Sequence, residues 1–228
     1  MKDTHSPKPI SASRAFFEGR RIMNNAAGPE DYKRGLAMLR QAADEGHVQA
    51  HAWLGAAYDY GLGTNPDQRE ALRHYRYAAE AGNANAQYHV GVFYHDGTGV
   101  RRDYRGAVSW LKKAAAQGDM EAKYLLGRCY RFGNGVTKAV RRGFQLQFEA
   151  AEKGVVEAQF SVGVCYSRGE GVAKDDRRAF EWFLKAAKRG HDDAAYNLAH
   201  FYETGRGVSK NLRRAMFWRG RSDSDQAA

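Results

Sequence analysis

Residues 83–118 read NANAQYHVGVFYHDGTGVRRDYRGAVSWLKKAAAQG, and the fold follows from this stretch. Asn83 is a good N-cap, and Ala84 to His95 reads as a first helix. Ala86, Tyr88, Val90, Gly91 and Tyr94 give that helix a broad apolar face, not a strand alternation. Asp96-Gly97-Thr98-Gly99 then breaks it, because glycine reaches positive φ without a steric penalty. Asp103 is placed to cap a second helix through Gln117, striped by Ala107, Trp110, Leu111, Ala114 and Ala115 and ended by Gly118. Two helices around a glycine-rich turn make a helical hairpin.

The hairpin recurs every 36 residues. Gly82, Gly118, Gly154 and Gly190 keep that step, as do Gly55, Gly91, Gly127 and Gly163, and Tyr58, Tyr94, Tyr130, Tyr166 and Tyr202. Turn glycines repeat in two columns, from Gly61 to Gly205 and from Gly63 to Gly207. A fixed period of this size means one unit stacked on copies of itself, each burying its apolar face against the next. Gly91 costs its helix about 1 kcal/mol relative to alanine. Its recurrence therefore predicts a neighbouring helix too close for a side chain. The pairs Ala42–Ala43, Ala78–Ala79, Ala150–Ala151 and Ala186–Ala187 predict similarly close packing.

These residues resemble the Sel1-like repeat, a relative of the tetratricopeptide repeat. The pattern is A-x-x-x-L-G-x-x-Y-x-x-G-x-G-V, then A-x-x-W-x-x-x-A-A-x-x-G. It is met here by Ala158, Val162, Gly163, Tyr166, Gly169, Gly171, Val172, Ala179, Trp182, Ala186, Ala187 and Gly190. The resemblance covers almost the whole chain. It implies an all-α, right-handed α/α superhelix of about six 36-residue hairpins, with first helices lining the concave side. It also implies an adaptor or scaffold role, common in bacterial signalling and host interaction, and brings no catalytic residue.

The expected organisation is a tail over 1–11, a solenoid over 12–221 and a second tail over 222–228. The repeats fall at 12–46 (degenerate), 47–82, 83–118, 119–154, 155–190 and 191–221. Asn25 and Ala27 replace the first turn glycines, and Ser222 and Asp223 stand where the last alanine pair belongs. Internally, Ala199 replaces the helix glycine, Gly143 an alanine and Leu146 the tryptophan.

The 228 residues are 43% hydrophobic with a formal charge of +10 and four prolines. No run approaches the roughly 18 apolar residues of a membrane span. The opening MKDTHSPKPI has no apolar core of a secretory signal, so a cytoplasmic location is expected. Cys129 and Cys165 are equivalent residues of adjacent repeats, about 8–10 Å apart by helix packing. That is too far for a disulfide, so both read as small buried thiols.

Subtracting the core columns from the first helices leaves a stripe spaced i, i+3, i+7. It runs through Trp53, Ala56 and Tyr60; His89, Val92 and Asp96; Leu125, Arg128 and Phe132; Ser161, Val164 and Arg168; Asn197, His200 and Thr204. The stripe varies between repeats and mixes aromatics with Arg and His, as recognition patches do. It is expected to face the groove and hold a partner protein or peptide, an acidic surface being one option given the charge. A toxin-neutralising immunity protein is a narrower case.

The alternative is polyanion binding. Lys33, Arg69, Arg105, Arg141, Arg177 and Arg213 occupy one column in the first turn of the second helices, where the macrodipole disfavours cations. Arg34, Arg142, Arg178 and Arg214 thicken it. Such a row suits nucleic acid or an anionic surface; the plainer reading pairs it with acids such as Asp103 or Asp175. Tyr104 alone adds an adjacent aromatic, which counts against single-stranded nucleic acid.

Enzyme readings are weak. His47 and His51 are four apart without the glutamate of a zinc-protease motif, and His47 shares a capping column with Asn83, Asp119 and His191. Gly97 and Gly99 lack the Lys and Ser/Thr of a phosphate loop, and no nucleophile stands by spacing near a His and an acid. No cofactor is expected, and a metal-dependent hydrolase would require tightly held stoichiometric metal.

Overall fold

The computed structural model describes residues 11–223. They form α1 (Ala12–Asn24), α2 (Pro29–Asp44), α3 (Val48–Tyr60), α4 (Gln68–Glu80), α5 (Ala84–Asp96), α6 (Tyr104–Ala116), α7 (Met120–Phe132), α8 (Val140–Glu152), α9 (Val156–Arg168), α10 (Asp176–Lys188), α11 (Asp192–Thr204) and α12 (Leu212–Asp223). Among the described residues there is no strand, and no helix is long and apolar enough to cross a membrane. The fold is an all-α stack of helical hairpins. The chain divides into two compact units, Met1–Trp110 and Leu111–Ala228.

Within each unit the packing is local. α1 pairs with α2, α3 with α4, α7 with α8, α9 with α10 and α11 with α12, and second helices also carry the next first helix: α2 against α3, α4 against α5, α8 against α9, α10 against α11.

Caps set the boundaries. His47, Asn83, Asp119 and His191 each accept a hydrogen bond from the backbone N–H three residues on. The capping column read from the sequence is therefore real. Asp67, Asp103, Asp175 and Asn211 do the same for second helices. Ala139 and Val155 interrupt both columns, leaving α8 and α9 without a side-chain cap.

The second turn-glycine column has a packing reason. A Cβ on Gly63 would lie 2.6 Å from the Tyr32 carbonyl oxygen, and one on Gly171 2.7 Å from that of Val140. The turn thus rests directly on the backbone of the preceding second helix.

The mid-helix glycines answer to large residues one helix away. A Cβ on Gly55 would meet the Tyr75 ring at 2.6 Å, and one on Gly163 the Phe183 ring at 2.7 Å. Tyr75 and Phe183 belong to a fully buried column with Leu39, Leu111 and Gln147. Gln147 is the exception in chemistry, and its surroundings have adjusted. Gly143 replaces the usual alanine opposite Gly127, and a Cβ on Gly127 would lie 2.8 Å from the Gly143 carbonyl oxygen. Backbone there meets backbone, not an aromatic face.

Gln147 Oε1 faces the Cys165 Sγ at 3.9 Å. Cys129 and Cys165 are unpaired and buried, and burial pushes each thiol up to about 11. At pH 8 about one thiol in a thousand is then ionised. Both cysteines should stay silent toward a disulfide reagent until the protein is denatured, and then react together. Fast reaction of either in the folded protein would contradict this burial.

Of the tails expected at 1–11 and 222–228, residues 1–10 and 224–228 lie outside the described residues. Ser11 is the N-cap residue of α1, and α12 extends through Asp223, farther than the repeat boundary at 221 expected from the sequence.

Candidate functional site

In the first unit the first helices enclose a cavity of about 580 Å³, lined among others by Phe16, Phe17 and Arg20 of α1, Trp53 of α3, and His47, Asn83 and Asn85. The repeat itself places them: Phe17 precedes Trp53 by one period, and Arg20 precedes Ala56 by one. Trp53 is partly buried against the core that holds Phe16 and Leu54, and it also lines the cavity. Phe16 stacks on the His47 ring at 4.3 Å. Phe17 is 57% exposed. The Arg20 guanidinium lies 5.7 and 5.6 Å from the Phe16 and Phe17 ring centres, and no carboxylate pairs with it among the described residues. Aromatic walls, one uncompensated cation and the three amides of Gln49, Asn83 and Asn85 suit an apolar side chain beside a carboxylate or carbonyl.

Of the other residues assigned to the stripe in this unit, Tyr60 is 66% exposed and Asp96 accepts from the His95 ring at 2.6 Å. Neither lines the cavity. His89 is taken up in packing, stacked at 4.5 Å on the buried Tyr75 ring.

In the second unit Arg128 and Phe132 share a hollow of about 340 Å³ with Tyr124, Arg131, Phe160, Ser161, His191 and Asp193. Arg128 lies over the Tyr124 ring at 6.0 Å, and Phe132 is 54% exposed. Arg131 is buried beneath them, giving two hydrogen bonds to Glu170 Oε2 (2.8 and 2.5 Å) and one to Ser161 Oγ at 3.4 Å. A buried arginine so paired keeps the floor of the hollow rigid.

Leu125 is a correction: it is buried to 8% exposure inside the core and offers no surface. The i, i+3, i+7 rule misplaced it because its register lies on the edge between the two faces. Ser161, within the stripe, is also buried. Arg168 approaches Glu170 at 3.7 Å, Asn197 turns back to donate to the Asp193 carbonyl at 2.6 Å, and His200 is exposed; none of the three lines the hollow.

Phe16, Phe17 and Arg20 were missed by sequence reasoning because the first repeat had lost its turn glycines and was set aside as degenerate. The signal was present in the period: stepping back 36 residues from Trp53 and Ala56 lands on Phe17 and Arg20.

All six members of the basic ladder are exposed. Lys33 pairs with Glu30 at 2.7 Å and Arg177 with Glu181 at 3.5 Å, while Arg69, Arg105, Arg141 and Arg213 make no ion pair among the described residues. Asp103 spends its carboxylate on the Arg105 and Gly106 backbone N–H groups as a cap. The adjacent column is structural: Arg142, Arg178 and Arg214 lie over Tyr130, Tyr166 and Tyr202 at 4.4, 5.6 and 5.7 Å. In the same column Arg34 reaches Asp31 at 3.5 Å and Arg178 reaches Asp175 at 3.4 Å.

His47 and His51 diverge. His47 caps α3, whereas His51 is buried against His74, Nδ1 to Nδ1 at 2.9 Å. Among the described residues no group of three or more His, Cys, Asp or Glu could hold a metal ion.

Comparison with known proteins agrees with this architecture. The Sel1 repeat model matches residues 18–47, 48–83, 84–119, 121–155, 156–191 and 192–218. No curated protein matches. Among solved structures, a Sel1 repeat protein from Oxalobacter formigenes is 30% identical, with a TM-score of 0.85 over 93% of this chain and 85% of that one. A protective antigen of uropathogenic Escherichia coli is 31% identical, with a TM-score of 0.84 over 96% of this chain. The match spans only 46% of that antigen's length. An immunity protein from Pseudomonas aeruginosa, 22% identical with a TM-score of 0.60 over 98% of this chain and 85% of its own, shares the fold. With six matched repeats covering most of its length, this chain belongs to the Sel1 repeat family.

Proposed function

We propose that the chain is a non-enzymatic adaptor that holds a partner protein or peptide against its first helices. Sel1 repeat proteins are generally protein-interaction scaffolds. The observation that carries the reading here is the Trp53 cavity, where half-exposed aromatics and an unpaired Arg20 stand ready on helices that need no rearrangement. Preformed walls lose little entropy on docking, so a few anchors suffice for useful affinity. The Arg128–Phe132 hollow offers similar chemistry in the second unit. A cytoplasmic setting belongs to this reading and accords with two unpaired thiols.

Replacing Trp53, Tyr60, Arg128 and Phe132 together with alanine, in parallel with Phe17→Ala and Arg20→Ala, tests it. Each variant is used to capture partners from native extract, with mass spectrometry as readout. The partner held by the parent should fall by at least about tenfold with helicity unchanged. Capture at parental level by all variants would overturn the groove. A captured toxin would identify the immunity case.

Polyanion binding is the second reading, favoured by the four ladder arginines without ion pairs. Its test is DNA binding at about 50 mM salt, weakening steeply as salt rises. Absence of binding there overturns it.

A further inference from the structure

The hollow beside Phe132 repeats the register of the Trp53 cavity three periods later, with one change of charge. Tyr124 stands three periods after Phe16, Arg128 three after Arg20 and Phe160 three after Ala52. Where the first unit presents the amides of Gln49 and Asn85, the second presents the carboxylates of Glu157 and Asp193. All four hold the second position of a first helix. A carboxylate there offsets the helix dipole, but Gln49 and Asn85 occupy the position without one.

These carboxylates are not balanced from within. Glu157 and Asp193 are exposed, and neither makes an ion pair among the described residues. Glu121, one period before Glu157, crowds it: burial first, then the Glu157 and Asp119 charges, raise the Glu121 carboxyl. Two arginines line the same hollow, but Arg131 is balanced by Glu170 and Arg128 lies over the Tyr124 ring. Arg189 borders the two carboxylates from an adjoining hollow with Asp192 beside it, and donates to the Gly154 carbonyl. The charge around Glu157 and Asp193 stays negative.

We propose that this hollow receives a lysine or arginine side chain of the partner protein, its alkyl stem on Phe132 and its charged head between Glu157 and Asp193. Phe132 is 54% exposed and offers the apolar surface such a stem covers. Complementary charge then selects the occupant, since an acidic or neutral side chain would leave both carboxylates unanswered. Two carboxylates beside a phenyl ring suit an organic cation, and among the described residues no group of three or more ligands could hold a metal ion. The inference rests on the adaptor reading, because it names what one of the two sites in that reading takes. The net charge of +10 points the other way, toward acidic partners, so the preference is a local one.

The probe is a fluorescein-labelled octapeptide carrying one lysine and one arginine among leucines and alanines, titrated against the full chain by fluorescence anisotropy. A positively charged protein repels it overall, so saturable binding reports a local site. Such binding is expected, weakened by at least about tenfold when Glu157→Gln and Asp193→Asn are combined. That variant places amides where the Trp53 cavity has them. Phe132→Ala, which leaves both carboxylates, should weaken binding by about the same factor. All three side chains are exposed, so the variants should fold, with circular dichroism as the control. No saturable binding up to about 1 mM, or binding that either variant leaves unchanged, overturns the proposal. The adaptor reading fails separately, in the extract capture, where loss of the partner is scored without regard to peptide charge.

Discussion

Gly127→Leu should destabilise the protein by about 3 kcal/mol or more, at the upper end of what overpacking costs. The reason lies in what the new side chain would strike. At Gly55 and Gly163 the obstacle is an aromatic ring, which can tilt. At Gly127 it is the Gly143 carbonyl oxygen, 2.8 Å from the position of the first added carbon, and the Gln147 Cγ at 2.7 Å. Relief there means moving α8 away from α7, which opens the buried contact around Cys129 and Gln147 on both helices. Gly190→Ala is the matched control. Gly190 has φ +88° and nothing within 4 Å of an added carbon. It should therefore show the backbone penalty alone, about 1–2 kcal/mol. Urea midpoints with unchanged slope measure both. If Gly127→Leu costs no more than Gly190→Ala, close helix approach does not explain the glycine column.

The second large effect is acid sensitivity of the first unit. His51 and His74 are 8% and 6% exposed, with their Nδ1 atoms 2.9 Å apart. Arg73 reaches His74 Nε2 at 3.0 Å, and an arginine can only donate, so that nitrogen accepts. His74 then donates from Nδ1 to His51, which hydrogen-bonds in turn to the Ala43 carbonyl. Protonating His74 at its accepting nitrogen sets two donors against each other beside the Arg73 charge. Burial first, then the Arg73 and His51 charges, lower His74 from the ordinary 6.5 to about 4; burial lowers His51 as well.

Above pH 6.5 both folded and unfolded forms hold a neutral ring, and stability is unaffected. Below it the unfolded chain binds a proton that the folded chain refuses. Stability is therefore lost as pH falls from 6.5 toward 4, by about 3 kcal/mol at pH 4 from His74 alone. Urea unfolding across that range should show the loss. The double variant His51→Leu with His74→Leu, which removes both partners, should flatten this part of the profile. A profile of the same steepness in that variant would rule out the histidine pair as its source.

Much of this was legible in the chain before any coordinates. The 36-residue period located the hairpins, the caps at His47, Asn83, Asp119 and His191, and the mid-helix glycines, because each is a local requirement repeated at a fixed step. The candidate site was legible only in part. Trp53, Arg128 and Phe132 line cavities, but Leu125 does not, and His89 is held against Tyr75. A helical wheel assigns angles around one axis. Which angles are covered depends on the neighbouring helices, whose tilt the wheel does not contain.

The sequence alone determined that this protein is a run of helical hairpins, since spacing, capping and glycine placement act within one or two turns of chain. Tertiary structure decided which side chains are left for recognition. Arg142 and Arg69 are both arginines in the first turn of a second helix, yet one lies over Tyr130 and the other makes no ion pair among the described residues. Met216 and Phe180 share a register, yet Phe180 meets the Tyr202 ring edge-on while Met216 is 75% exposed among the described residues. Burial and pairing depend on what packs alongside, and that is known only once the hairpins are assembled.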